Sequence, residues 1–323
     1  MSALVEIEDL TVRFSGERTV HALNGVSLSV EKGEVVALLG ESGSGKSVTL
    51  KSLMQLLPGK RTKIGGKIAF DGRDVLKLKG RELANFRGPE VAMIFQDPSL
   101  ALDPVYAIGT QIAETVMRHE GLSRPDANAR ALDMLKRVRI PSPERRLSNY
   151  PHEMSGGMRQ RAMIALALAC GPRLLLADEP TTALDATVQM QVLLLLRELQ
   201  QEMGMSVIFV THDIGVAVEI ADRVAVMYAG TIVETGTIAE IIKDPRHPYT
   251  KGLLAANLHG AVKGARLDAI PGAPPTLEEP PTSCPFAPRC PVAMAACRAA
   301  RPPLISKGPG RAVACILEAE SVL

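Results

Sequence analysis

Tryptophan is absent from this chain, and aromatic residues make up only 3% of it. Its interior must therefore be built mostly from Leu, Val, Ile, Ala and Met, within an apolar content of 46%. An excess of one charge sign is also lacking, because 37 basic and 35 acidic residues leave a formal net charge of +2. That balance excludes a general field for nucleic acid or for an anionic membrane. Long apolar runs are missing too. A spanning helix needs roughly 18 residues, and the nearest candidates, residues 162–170 and 192–196, are far shorter. The start, Met1-Ser2-Ala3-Leu4-Val5-Glu6-Ile7-Glu8-Asp9, reads as a strand with acidic residues rather than a signal peptide. The expectation is a cytoplasmic chain that reaches a membrane only through partners. Cysteine is scarce, with five in the chain.

What is present begins with Gly40-Glu41-Ser42-Gly43-Ser44-Gly45-Lys46-Ser47, a match to G-x-x-x-x-G-K-[ST]. The apolar run Glu34-Val35-Val36-Ala37-Leu38-Leu39 before it reads as a buried strand, and an amphipathic helix opens through Ser47 and Val48. A glycine-rich turn between strand and helix aims backbone N–H groups into one concavity, and the helix N-terminus adds a favourable field for anions. Lys46 reaches the β- and γ-phosphates and the Ser47 hydroxyl ligates Mg²⁺ in such a loop. These residues, with Val48 at the helix start, predict a nucleoside triphosphate site.

With 323 residues the chain can bury a full core and carry a second small module. Alternating apolar positions over about residues 4–32 predict antiparallel sheet. Continuous apolar runs at 91–95, 174–177, 207–210 and 224–228 predict strands of a mainly parallel, doubly covered sheet. From about 97 to 158 the pattern is helical and more polar, as in residues 127–138, and reads as an insertion in an α/β core. The apolar stripe Val188, Val192, Leu195, Leu196, Leu199 and Met203 marks a core-facing helix. Residues 271–303 are dense in proline and hold three cysteines, which suggests a separate loop-rich module held by a cross-link or a metal.

A phosphate loop needs an acidic partner, and Leu174-Leu175-Leu176-Ala177-Asp178-Glu179 offers two carboxylates at a strand end. Asp178 suits the Mg²⁺ shell and Glu179 suits polarising an attacking water. Ser155-Gly156-Gly157-Met158 opens a helix that runs through Ala169, a second anion site in the same chain. One nucleotide cannot use both sites if they lie far apart in one subunit, but two subunits facing head to tail could.

The series from the phosphate loop through Gln96, Ser155-Gly156-Gly157, Asp178-Glu179, Ala183-Leu184-Asp185 and His212 resembles the nucleotide-binding subunit of ABC transporters. Order and spacing match over about residues 4–250. The resemblance implies a P-loop NTPase core of ABC type, with an antiparallel β subdomain and a helical subdomain at about 97–158. In that family two domains sandwich two ATP molecules, each between one phosphate loop and the other subunit's signature. Gln96 would reach Mg²⁺ and sense the membrane domain, Asp185 would lie at the dimer interface, and His212 would contact the γ-phosphate. The chain departs from the usual Leu-Ser-Gly-Gly-Gln in reading Met154-Ser155-Gly156-Gly157-Met158. Met158 cannot make a glutamine's hydrogen bonds, so the composite site built on it is expected to turn over differently from its counterpart. Phe14 is the candidate for stacking on adenine, with His21 as the alternative.

Cys284, Cys290, Cys297 and Cys315 form C-x5-C-x6-C-x17-C. Disulfides are disfavoured in a cytosolic chain, the close Cys pair common in zinc sites is missing, and the ferredoxin spacing is not matched. The residues alone leave zinc and iron–sulfur open, while Cys170, in an apolar helix, reads as a buried thiol. This tail, together with Asp244-Pro245-Arg246-His247-Pro248-Tyr249-Thr250, resembles the oligopeptide/dipeptide importer branch of the ABC ATPases. The branch associates such cysteines with a 4Fe–4S cluster in an extension that here covers residues 251–323. Residues 151–161 resemble the D type of the two ATPases in these importers. A non-identical F-type ATPase, two membrane permeases and an extracytoplasmic binding protein are the implied partners, and the chain itself is implied to lie at the cytoplasmic face of the membrane. Related importers of nickel, glutathione or other small solutes use similar ATPases. The rival class, a soluble ABC ATPase acting on nucleic acid or ribosomes, usually has two ATPase domains, a coiled-coil insertion or basic surfaces. This chain has one phosphate loop, no heptad run and balanced charge.

Overall fold

The computed structural model describes residues 3–182, 184–256 and 270–319. The chain divides into two units, Met1–Leu76 with Phe209–Leu323, and Lys77–Ile208.

In the first unit, Val5–Ser15 pairs antiparallel with Thr19–Val30 on one side and Thr62–Phe70 on the other, and Arg73–Asp74 extends the far edge. Val5, Ile7, Leu10 and Val12 are all buried. A strict period of two would send Ile7 and Leu10 to opposite faces. The register shift between them, with Asp9 at φ 45°, restores both to the core. A second sheet runs in the order Ile305–Gly308, Arg311–Val313, Thr231–Thr237, Arg223–Tyr228, Val35–Leu39. Only the last pair is parallel. Val35–Leu39 is buried at every position, as expected of a strand covered on both faces.

The second unit pairs Val91–Ile94 with Leu174–Asp178 in parallel. Phe95, read as strand, lies beyond the pairing, and the second strand runs one residue further than its apolar run, to Asp178. The helical insertion holds Ile108–Glu120 and Arg124–Arg137. Gly121 closes the first in the left-handed region at φ 69°. Ser123 caps the second by accepting from the Asp126 N–H at 3.4 Å, ahead of a proline in the first turn. Gly156–Leu168 and Ala186–Met203 complete the unit. Of the predicted stripe on the latter, Val192, Leu195, Leu196 and Leu199 are buried, whereas Val188 and Met203 are half-buried.

The cysteine-bearing tail contributes to the core of the first unit. Phe286, 2% exposed, joins Tyr228, Tyr249, Val226 and Leu39 in one core cluster of the first unit. Its ring lies edge-on to Tyr228 at 5.2 Å and tilted against Tyr249 at 5.4 Å. Burying such a ring contributes about 1.5–3 kcal/mol. Further along, Ile305–Gly308 and Arg311–Val313 form a hairpin whose Val313 and Ala312 pair with Glu234 and Thr235, adding edge strands to the sheet. All five cysteines are free thiols.

Candidate functional site

The phosphate loop leaves the end of Val35–Leu39 and leads into the helix Lys46–Leu53. Backbone approaches so closely that side chains are excluded at two points. A Cβ on Gly40 would collide with the Met227 carbonyl, and one on Gly45 would lie 2.7 Å from Leu23 Cδ2. Gly45 also sits at φ 105°, a conformation side chains disfavour. Lys46 is buried, and its ammonium donates to the carbonyls of Gly40 at 2.6 Å and Glu41 at 2.9 Å, arching the loop over its own helix. The Ser44 hydroxyl is buried without a hydrogen-bond partner. Buried polar atoms are nearly always paired, so an orphaned hydroxyl in a glycine-rich anion loop fits a phosphate oxygen as its partner. Ser42 and Gly43 are exposed, Ser47 and Val48 half-buried.

Glu41, in the middle of this loop, is held from three directions. Its N–H donates to the Tyr249 hydroxyl at 2.8 Å, its carbonyl accepts from Lys46, and its carboxylate pairs with Arg289. Neither Tyr249 nor Arg289 was singled out by sequence reasoning. His212 follows the strand Ser206–Thr211 and is exposed, just before Asp213, which caps Ile214–Ile220. Phe14 pairs with Val20, and Arg13 with His21, so the two stacking candidates occupy neighbouring pairs of one hairpin; both are half-buried.

In the second unit, Asp178 is buried at the end of its strand. Glu179 follows at φ 46°, a left-handed conformation that costs a non-glycine residue about 1 kcal/mol or more. Its Oε2 accepts from Gln96 Nε2 at 3.4 Å and from Thr182 Oγ1 at 3.0 Å. The strained residue is thus also an oriented one, and Gln96 and Glu179, 83 positions apart, are brought together. Ser155 is the N-cap of Gly156–Leu168, its hydroxyl accepting from the Met158 N–H at 3.3 Å. Gly156 has open space around it, whereas a Cβ on Gly157 would press on Val188 Cγ1 at 2.9 Å. Asp185 caps Ala186–Met203 through the Val188 N–H at 3.0 Å, while its neighbour Ala183 lies outside the described residues.

Cys284, Cys290, Cys297 and Cys315 line one small cavity of about 10 Å³, together with His247, Phe286 and Leu317. Burial raises the thiol pKa of Cys284, Cys290 and Cys315. Four soft donors and no carboxylate around one apolar cavity fit a thiolate-held group in donor chemistry. Among the described residues, no group of three or more His, Cys, Asp or Glu side chains is placed so that it could hold a metal ion. Cys170 is half-buried rather than fully buried; desolvation pushes its pKa up to about 11, which keeps it a protonated thiol.

The sequence profile of the family "ABC transporter" matches residues 23–182, and that of "Oligopeptide/dipeptide transporter, C-terminal region" matches residues 233–297. Over 315 residues, 97% of this chain and 94% of the relative, the sequence is 51% identical to a probable peptide ABC transporter ATP-binding protein, y4tR, of Sinorhizobium fredii. It is 50% identical over 303 residues to the oligopeptide transport ATP-binding protein OppD of Bacillus subtilis, covering 91% of this chain and 83% of that one. The dipeptide transport ATP-binding protein DppD of the same organism is 47% identical over 320 residues, 98% of this chain and 96% of that one. Among solved structures, the dimeric ATP-binding cassette MJ0796 in a post-hydrolysis state with ADP and Pi superposes with a TM-score of 0.65 at 31% identity, covering 72% of this chain and 98% of that one. The chain belongs to the ATP-binding subunits of the oligopeptide/dipeptide family of ABC transporters.

Proposed function

We propose that this chain hydrolyses ATP at the phosphate loop, and that the hydrolysis powers import of peptides through an ABC transporter. The observation that carries the catalytic reading is the left-handed, doubly hydrogen-bonded Glu179 at the end of the strand that bears Asp178. The loop N–H groups, the Ser44 hydroxyl and Lys46 bind the triphosphate and stabilise charge on its β- and γ-oxygens. Glu179 accepts the proton of the attacking water, with Gln96 and Thr182 fixing the carboxylate's direction. Ser47, Asp178 and Gln96 are the residues that would hold Mg²⁺, which would supply neutralisation of charge on the phosphates. His212 contacts the γ-phosphate, and Phe14 supports the adenine. The segment Ser155-Gly156-Gly157, at an exposed helix start, closes on the nucleotide of a facing subunit, with Asp185 at that interface. Replacing Glu179 with Gln is expected to cut turnover at least about a hundredfold while ATP binding persists; unchanged hydrolysis would remove Glu179 from the general-base role.

In this reading residues 1–250 are the nucleotide-binding domain, with a helical subdomain at about 97–158, and residues 251–323 are the extension typical of the branch. The partners are a non-identical F-type ATPase, two transmembrane permeases and, through the complex, an extracytoplasmic binding protein. No helix among the described residues is long and apolar enough to cross a membrane; in this reading the chain lies peripherally at the cytoplasmic face. The relatives named for oligopeptide and dipeptide transport support peptide as the solute over nickel or glutathione.

Cys284, Cys290, Cys297 and Cys315 hold a 4Fe–4S cluster, a reading supported by four thiols around one apolar cavity. Protein purified without oxygen should be brown, with broad absorption near about 400 nm and bound iron. Colourless protein with stoichiometric zinc would overturn the cluster.

A further inference from the structure

Arg289 comes from the tail, 248 positions after the phosphate-loop residue it meets. Its Nη1 donates to Glu41 Oε2 at 2.6 Å and its Nη2 to Glu41 Oε1 at 3.0 Å, a two-bond fork. The guanidinium is fixed from behind: Nε donates to the Pro271 carbonyl at 2.8 Å, Nη2 to the Ile270 carbonyl at 3.4 Å and Nη1 to the Tyr228 hydroxyl at 3.4 Å. Its carbon also lies 5.8 Å from the centre of the Tyr228 ring. The Arg289 side chain is only 5% exposed, against 28% for Glu41, so the arginine is the anchored partner and the loop is what it holds.

A carboxylate inside a triphosphate-binding loop is electrostatically costly. It adds negative charge where several phosphate charges must gather, and half-buried charges there are poorly screened. A buried arginine with planar, two-bond geometry cancels that charge and fixes the carboxylate's direction in a way a lysine cannot. Tyr249 adds the matching backbone restraint, accepting from the Glu41 N–H at 2.8 Å.

We propose that Arg289 is a positioning residue for ATP binding: by neutralising and clamping Glu41 it sets the phosphate loop to receive the triphosphate. The tail thereby carries part of the nucleotide site, and its integrity enters ATP affinity through one ion pair. The inference rests on the ATP reading of the loop, and Lys46→Ala serves as the control that reports on that reading alone.

The test uses the full chain in its assembled transporter, with dissociation constants for Mg·ATP and the kcat and KM of hydrolysis. Arg289→Ala should weaken ATP binding about tenfold and Arg289→Lys about threefold, both in KM, with kcat within about twofold of the parent. In a Glu41→Gln background, either substitution should cost less than about twofold, since no carboxylate remains there to be paired. Arg289→Lys keeps charge and length, so the comparison survives if Arg289→Ala fails to fold. ATP affinity unaffected by the lysine variant, or an equal loss with and without Glu41, would overturn the proposal. Retained ATP binding by Lys46→Ala would instead fault the phosphate-loop reading beneath it.

Discussion

His247 shows how a single side chain ties pH to the stability of this protein. It is 2% exposed, its Nδ1 accepts the Tyr249 N–H at 3.1 Å, and its ring tilts against Phe286. Only a neutral imidazole can accept there, and burial lowers its pKa from 6.5 to about 4. The sign follows from linkage: above pH 6.5 the ring is neutral folded and unfolded, and stability is full. Between 6.5 and about 4 the unfolded chain takes up a proton that the folded chain refuses, so stability falls with acidification. The melting temperature should therefore drop across that window, and His247→Asn should flatten the drop. An equal acid slope in both proteins would place the effect elsewhere. Glu179 is the other residue whose surroundings set its behaviour, since strain and two hydrogen bonds fix one carboxylate direction before substrate arrives.

Among the elements, the tail segment around Phe286 is the one whose attachment can be tested most simply. Its ring is the tail's aromatic contribution to the core beneath the phosphate loop. Phe286→Ala should cost about 3–5 kcal/mol and open the tail to limited proteolysis before the rest of the chain. Resistance equal to the parent's would show that the tail is held by other means. This segment also marks where the sequence stops being legible. The phosphate loop and the strand ending in Asp178-Glu179 could be read because their chemistry is contiguous: apolar run, turn residues, charge. The hairpin of Ile305–Gly308 and Arg311–Val313 could not, because its strands are four and three residues long and the second takes its place by pairing with Glu234 and Thr235. Proline around Phe286 hides any periodicity, and the Arg289–Glu41 pair, 248 positions apart, leaves no local pattern at all. Ser155 was legible as a residue at a helix start and Asp185 only through the family resemblance, and both serve as N-caps here. Capping alone accounts for those residue types, so their placement against a second nucleotide has to be measured in a dimer.

At the scale of the whole molecule, the proposed assembly sets the phosphate loop of one subunit against the signature helix of another, with two permeases receiving the motion. No helix among the described residues is long and apolar enough to cross a membrane, and 37 basic residues nearly balance 35 acidic ones. Met158 stands where the usual signature has glutamine, and its side chain cannot make a glutamine's hydrogen bonds. The most direct measurement is recovery of the tagged chain from gently solubilised native membranes, with its stoichiometric partners identified. The account predicts two multi-span permeases and a second, related ATPase, with a peptide-binding protein co-purifying. Recovery from the soluble fraction alone, or with ribosomes or nucleic acid, would contradict it.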